Sequence, residues 1–306
     1  MFRRLKAAMV SEVEPRRRAR FSLATLALTA TITFPAAAQE PITFGQSYTI
    51  ESEILGEART VNVWVPPHAD RDERAPYRTV YLIDGGTEQD WFHITGLMQL
   101  GALSWTFQPT IVVGIETDDR QNELTPLAQD PRYREEFPTS GDAVDFRAFI
   151  TDEVQPFVAN NFPVNGQSTV IGESLAGLFI VDTYLKEPAT FDDYIAISPS
   201  LWWDDQRLGR DAPIFMAAND FEGTRLYLAY ADEGGSMKAA IDLLSEAAVE
   251  AGIAVHYDDL SASQTHATIF HQAALNAVRL LYAEPPYDYG ETPWYLVEGS
   301  ERDAEE

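Results

Sequence analysis

Ser174 stands in the stretch TVIGESLAGLF, residues 169–179, where β-branched residues run into a cluster of small ones and then into a helical apolar pattern. Gly172, Glu173, Ser174, Leu175 and Ala176 lie one methyl group away from the G-x-S-x-G turn, in which a tight strand-to-helix reversal holds a serine strained with its hydroxyl exposed. The positions two before and two after the serine crowd one another, so both must be small. Ala176 meets that need, with Gly177 directly behind it. A serine becomes a useful nucleophile only when a base takes its proton and a third group orients the base. Gly/Ser/Ala turns are also common as plain connections, so the partners of Ser174 decide what it does.

Five histidines are available as that base. His68 follows two prolines, His93 lies upstream of the serine, His256 falls inside a strand pattern and His271 on a helical one. His266 sits in the polar loop SASQTHAT between the last strand and the last helix, where a base belongs if the order is nucleophile, acid, histidine. His271 is five residues further on and on another helical face, so the two make a poor metal site. The acid belongs at the end of LYLAYADEGG, where Asp232 or Glu233 fits. Sequence does not choose between these neighbours, although its strand-end place beside Gly234 and Gly235 raises Asp232 above the many surface carboxylates. An oxyanion would be held by the backbone N–H of Leu175 together with one from Gly85 or Gly86, after the strand VYLID, where glycine lets main chain approach a substrate. Such a set performs acyl transfer on carboxylic esters and needs neither a metal nor an organic cofactor. The chain has no cysteine, which excludes thiolate chemistry and zinc–thiolate sites.

The elements that would position these groups are legible as an alternation. Two extended segments, TFGQSYTIES and ARTVNVWVPP, lead the chain. After them come the β-branched runs RTVYLID, TIVVGIE, STVIGES, DYIAISP, RLYLAYAD and IAVHYDDL. Apolar spacing near 3.6 marks helices over 143–160, 176–186, 236–252 and 268–283. Strands alternating with helices imply a mostly parallel sheet covered on both faces, at whose carboxyl edge reactive groups collect. One domain over 39–285 accounts for the pattern, followed by an acidic, proline-interrupted tail at 286–306.

Residues 1–38 read as a secretory signal peptide: basic residues from Arg3 to Arg20, the apolar run FSLATLALTATITF, and a small-residue cleavage site near Ala38. A periplasmic or secreted protein is therefore expected, by general or twin-arginine export. The full chain carries a formal charge of −26. Cleavage would take away seven of 22 basic and two of 48 acidic residues, leaving 15 against 46, or −31. Such a surface repels phosphate backbones and anionic lipid, so neither nucleic acid nor a membrane is an expected partner; a small-molecule ester is. Oligomeric state is not readable.

Longer strings carry a resemblance. VYLIDGG, IVVGIETDDRQNELTP, FITDEVQPFVANNFPVN, GESLAGLF, FDDYIAISPSLWWDD and THATIF occur in the order found in the putative esterase family of α/β hydrolases, which includes enterobactin and salmochelin esterases and esterase D-like acyl esterases. The chain resembles that family through nearly its whole length after residue 38. The resemblance implies the α/β-hydrolase fold, Ser174 as nucleophile, His266 as base and an acid at 232 or 233. Trp202 and Trp203 would then line the acyl or alcohol pocket or plug a loop, one in each role. Arg120 would orient a polar group of the substrate or pair with a nearby aspartate, the second being favoured. Three departures bear on substrate: Glu173 stands where a histidine often precedes the serine, Ala176 replaces glycine, and QNE follows Arg120 where siderophore esterases tend to be more basic. The last of these, with the charge of −31, argues against a strongly anionic ferric siderophore. The expected activity is an exported serine esterase; a siderophore trilactone esterase, an acyltransferase and a non-catalytic binding protein are the alternatives on the same residues.

Overall fold

A computed structural model describes residues 42–67, 75–104 and 106–283. The signal peptide and C-terminal tail expected from the sequence, and His68, lie outside the described residues. Eight strands form one sheet: β1 (Gln46–Glu51), β2 (Ala58–Trp64), β3 (Tyr77–Ile83), β4 (Thr110–Ile115), β5 (Val164–Glu173), β6 (Asp193–Ile197), β7 (Arg225–Tyr230) and β8 (Val255–Asp259). Their spatial order is β1-β2-β4-β3-β5-β6-β7-β8. β2 runs antiparallel to both its neighbours, and every other pairing after it is parallel. This is the mostly parallel sheet that the alternation implied, in the α/β-hydrolase architecture that the resemblance implied.

Strands β3, β4 and β6 are buried along their whole length, as parallel strands covered on both faces must be. Their side chains alternate between two cores. Val80 and Leu82 face a layer built on α1 (Trp91–Leu103) and, near the C-terminus, a helix over Ile269–Tyr282. Tyr81 and Ile83 face the larger layer on the other side. That layer uses α2 (Arg120–Leu124), a pair of short helices α3 (Pro131–Glu136) and α4 (Ala143–Ala148), then α5 (Gln155–Asn161), α6 (Leu175–Lys186), α7 (Trp203–Ala218) and α8 (Gly235–Ala251). The helix at Ile269–Tyr282 is α9. A π-helical stretch, Phe149–Val154, joins α4 to α5, so the helix expected over 143–160 is present with one widened turn.

Four α-helices lie outside the spans read from apolar spacing, the short α2 and α3 and the longer α1 and α7. Helix α1 buries Trp91, Ile94 and Met98 but also exposes Phe92, Leu100 and Leu103, which erases the one-sided stripe on which such readings depend. Helix α7 opens with a left-handed turn at Asp204–Gln206 and carries Pro213 inside.

All parallel strands end on the same edge of the sheet, and three of those ends matter for the site. Asp84 follows β3, Ser174 follows β5, and the chain after β7 reaches Asp232 and Glu233. At the β3 end, a Cβ on Gly85 would lie 2.2 Å from Gly114 Cα of the adjacent strand. Only glycine lets the chain turn there.

Candidate active site

Ser174 joins β5 to α6 with φ 63° and ψ −117°, a backbone shape that costs a non-glycine residue of order 1–3 kcal/mol and needs outside support. The support is main-chain: Ser174 N–H donates to Ile197 O at 3.0 Å, and Ser174 O accepts from Ser200 N–H at 3.0 Å and Leu178 N–H at 2.9 Å. A Cβ on Gly172 would come 2.6 Å from Ala176 Cβ, so the crowding read from the sequence is real, and a bare Gly172 is what admits the alanine methyl. Gly177 is equally constrained, since its Cβ would meet Pro199 Cα at 2.9 Å.

His266 arrives from the loop before α9, with Nε2 3.1 Å from Ser174 Oγ. Its Nδ1 is hydrogen-bonded to Glu233 Oε1. The Glu233 side chain is 2% exposed, whereas Asp232 is exposed and is held by its backbone N–H to Gln264 O, 3.0 Å, in a short bridge to the His266 loop. Of the two neighbours that the sequence left open, Glu233 is the one in contact with the imidazole. Asp232 continues the strand line and points its backbone at the loop; the next side chain turns inward to the imidazole. Burial is the largest single influence on Glu233 and would raise its pKa, but the hydrogen bond and charge of His266, with Ser198 and the Ala231 backbone, together outweigh it and hold the carboxyl below its ordinary range. The Glu233 hydrogen bond raises His266 above its ordinary value against the opposing effect of burial, and the charges of Glu233 and then Glu173 add to the rise.

The other described histidines are elsewhere in roles of their own. His93 and His271 meet each other across α1 and α9 at 3.0 Å, and His256 stacks on Tyr227.

Leu175 is the first residue of α6, where an N–H has no carbonyl within the helix to receive it. It therefore aims a donor and the positive end of the helix dipole beside Ser174. Gly85 and Gly86, either of which the sequence offered as the second donor, are engaged differently. Gly85 N–H is committed to Ile115 O at 2.8 Å, inside the sheet, and Gly86 N–H donates to the Gln89 side-chain oxygen at 2.9 Å. Gly85 thus completes the sheet ladder, as buried main chain must, whereas Gly86 is held only by a side chain.

Two cavities open on Ser174 and His266. One, of about 440 Å³, is lined by Phe137, Leu175, Trp202, Trp203 and Met237 as well as Arg120 and Glu233. Its wall is a packed set of rings: Phe137 lies 6.0 Å from Trp202 and 5.4 Å from Trp203, and Tyr133 stacks 6.2 Å from Trp202. Trp202 is half-buried at the cavity while Trp203 is 3% exposed, its Nε1–H donating to Pro126 O at 2.9 Å. Both tryptophans thus border the cavity, Trp203 from a more buried place than Trp202. The second cavity, of about 340 Å³, is polar, with Asp84, Gln89, Asp90, Arg120 and Glu173 around the same serine and histidine. Here Arg120 is taken up by Asp84, with Nε 2.9 and 3.0 Å from the two carboxylate oxygens. Asp90 and Glu173 have no such cation. Burial pushes the Asp90 carboxyl up to about 6, helped by Asp84 and opposed by Arg120. Burial likewise pushes Glu173 up to about 7, and Glu173 Oε1 is buried with no hydrogen-bond partner.

Sequence reasoning missed Phe137, Tyr133 and Met237, which come from segments with no motif, and Asp84. Asp84 had a signal: an acidic residue ending an otherwise apolar strand, directly before two glycines. For a metal, the one clustering of three carboxylates among the described residues is Glu57, Asp118 and Glu123. The Arg59 guanidinium already occupies its centre, 2.8 Å from Glu57 and Glu123 and 3.5 Å from Asp118, so these residues do not fit an ion.

The sequence profile of the family described as "Putative esterase" matches residues 52–277. The chain belongs to the putative esterase family. This family member is 30% identical over 168 residues to the ferri-bacillibactin esterase BesA of Bacillus subtilis, covering 48% of this chain and 56% of that one. It is 26% identical over 197 residues to the siderophore triacetylfusarinine C esterase of Aspergillus fumigatus, covering 58% and 62%. The alignments thus span less than two thirds of these relatives' length. Among solved structures, an IroE-like serine hydrolase from Shewanella oneidensis superposes with a TM-score of 0.69 at 22% identity, over 78% of this chain and 80% of that one. The siderophore hydrolase EstA from Aspergillus nidulans gives 0.65 at 21% identity, over 80% and 98%. Both likenesses support the fold.

Proposed function

We propose that this member of the putative esterase family is a serine carboxylic ester hydrolase whose nucleophile is Ser174, with His266 as base and Glu233 as the acid that orients it. The observation that carries the reading is the continuous chain of contacts from Ser174 Oγ to His266 Nε2 and from His266 Nδ1 to the buried Glu233 carboxylate.

In the reaction, Ser174 Oγ attacks the ester carbonyl carbon as its proton passes to His266 Nε2. Glu233 accepts the Nδ1–H and steadies the imidazolium that forms. The negative carbonyl oxygen of the tetrahedral intermediate accepts a hydrogen bond from Leu175 N–H. Gly86 is the candidate for a second donor, because the flexible Gln89 amide that now receives its N–H is displaced more readily than a carbonyl of the sheet. Collapse of the intermediate breaks the bond to the alcohol oxygen, which leaves with the proton from His266. Water then attacks the acyl-enzyme with His266 again as base, giving the acid and free Ser174.

The substrate class follows from the two cavities. Rings in the larger one suit an aromatic or bulky apolar group. The unpaired Asp90 and Glu173 on the other side, in a chain of net charge −26, disfavour an anionic one. The relatives named as siderophore esterases bring siderophore esters among the candidates, of which an uncharged one suits this acidic surround better than an anionic one. A cleaved leader over 1–38 would place the activity in the periplasm or outside the cell.

The test is release of nitrophenolate from short-chain and aryl nitrophenyl esters by the purified protein, together with stoichiometric labelling of Ser174 by an organophosphonate. Turnover and labelling that both vanish in Ser174→Ala are expected. Turnover that persists in that variant would overturn the nucleophile assignment, and a parent protein that neither turns over ester nor takes the label would point to a binding protein. Product analysis with an added alcohol separates hydrolysis from acyl transfer to that alcohol.

A further inference from the structure

Three consecutive residues, Asp204, Asp205 and Gln206, lie in the left-handed region with φ of 49°, 54° and 61°. Non-glycine residues take up such a run only when the surroundings enforce it. The enforcement here comes through the Asp204 side chain, which is 6% exposed. Its Oδ2 accepts Gln129 N–H and its Oδ1 accepts Asp130 N–H, both at 2.9 Å. Arg207 adds a contact at 3.4 Å to Oδ2.

This one carboxylate therefore joins the turn after Trp202–Trp203 to the start of α3, where Asp130 is the capping residue. The segment it grips runs on through Tyr133 to Phe137, the far wall of the aromatic cavity. That segment belongs to no strand of the sheet, so the sheet does not fix its height over Ser174. Two further bonds act beside Asp204: Trp203 Nε1–H to Pro126 O and Tyr133 O–H to Trp202 O, at 2.9 and 3.1 Å.

We propose that Asp204 is a positioning residue that sets substrate selectivity: by holding the Gln129 and Asp130 N–H groups, it fixes Phe137 and Tyr133 against the tryptophan pair and so defines the width of the pocket for the large group of an aromatic ester. It does this without touching substrate. The inference rests on the esterase reading given above.

The experiment compares an aryl-acyl nitrophenyl ester with nitrophenyl acetate, whose acyl group is too small to reach the ring wall. In Asp204→Asn, which keeps the side chain's shape but replaces one acceptor by a donor, the ratio of KM for the aryl ester to KM for the acetate should rise about tenfold while the ratio of kcat values stays within about twofold. Phe137→Ala should raise the same ratio, and the double variant should be no worse than Phe137→Ala alone, because both changes loosen one wall. An unchanged KM ratio, a parallel loss of kcat on both esters, or full additivity in the double variant would overturn the proposal. Should Asp204→Asn fail to fold, Arg207→Gln leaves both carboxylate oxygens in place and loosens them; a smaller rise of the same ratio, absent in the Phe137→Ala background, is then the expected result, and no rise overturns it. Acetate turnover by the parent protein tests the esterase reading separately, so the two failures are distinguishable.

Discussion

The two sides of Ser174 are built from opposite materials. On one, Phe137, Trp202, Trp203 and Tyr133 pack ring against ring around a cavity whose polar atoms are few. On the other, Asp84, Asp90 and Glu173 crowd one arginine, which pairs with Asp84 alone. Ring packing is non-directional and largely indifferent to pH, so the first side should recognise size and shape. Partly buried carboxyls change charge with pH and with each other, so the second should recognise charge and should couple to the base. An ester laid across the serine in the proposed way would be read by two different physical rules at its two ends.

The largest expected effect removes the reaction that both sides serve. Ser174→Ala should lower kcat on the order of 10⁶-fold for aryl and acetate esters alike, measured as nitrophenolate release. Glu233→Gln should cost about 10⁴-fold in kcat, because the imidazole loses its orienting acceptor; Asp232→Asn, altering an exposed neighbour, should change kcat by less than about threefold. Equal losses from the two variants would break the assignment of the acid.

The next effect falls on one side only. Trp202→Ala should raise KM for the aryl ester by about 10- to 100-fold, the equivalent of roughly 1.5–3 kcal/mol of apolar contact, and hardly alter acetate. A loss on both esters would mean that the rings support the fold rather than read the substrate. The smallest effect belongs to the acidic side. In the proposed mechanism neutral His266 accepts the serine proton, so kcat/KM should climb as pH rises through the His266 pKa, which lies above the ordinary imidazole value. Glu173 is one of the negative neighbours that raise it. In Glu173→Gln the rising limb should therefore move to lower pH, and a carboxylate-bearing ester should gain a few-fold in kcat/KM relative to its uncharged analogue. A limb that stays in place would uncouple the acidic side from the base.

Much of this was legible before the fold. The six β-branched runs after the opening hairpin all became strands, since short apolar runs bounded by turn residues have few other uses. Ser174 and His266 were legible because a strained turn and a lone histidine in a polar loop leave strong local marks. The acid was less so: Asp232 and Glu233 are adjacent, and only the pairing of residue 232 with Thr265 turns the side chain of residue 233 inward. Gly85 looked like an oxyanion donor in sequence, yet its role is to pass within contact distance of Gly114, a demand that exists only once β3 and β4 lie side by side.

By itself, the order of residues determined the alternating layers, the small-residue bend at 172–177 and the strand-end placement of the reactive groups, because backbone sterics and apolar periodicity act within a few residues. Tertiary structure alone decided which carboxylate meets the imidazole, where the Arg120 charge is consumed, and that Phe137 faces Trp202 from 65 positions away. Those contacts depend on distances between segments that no local pattern encodes, and they exist only when the sheet has brought its strand ends to one edge.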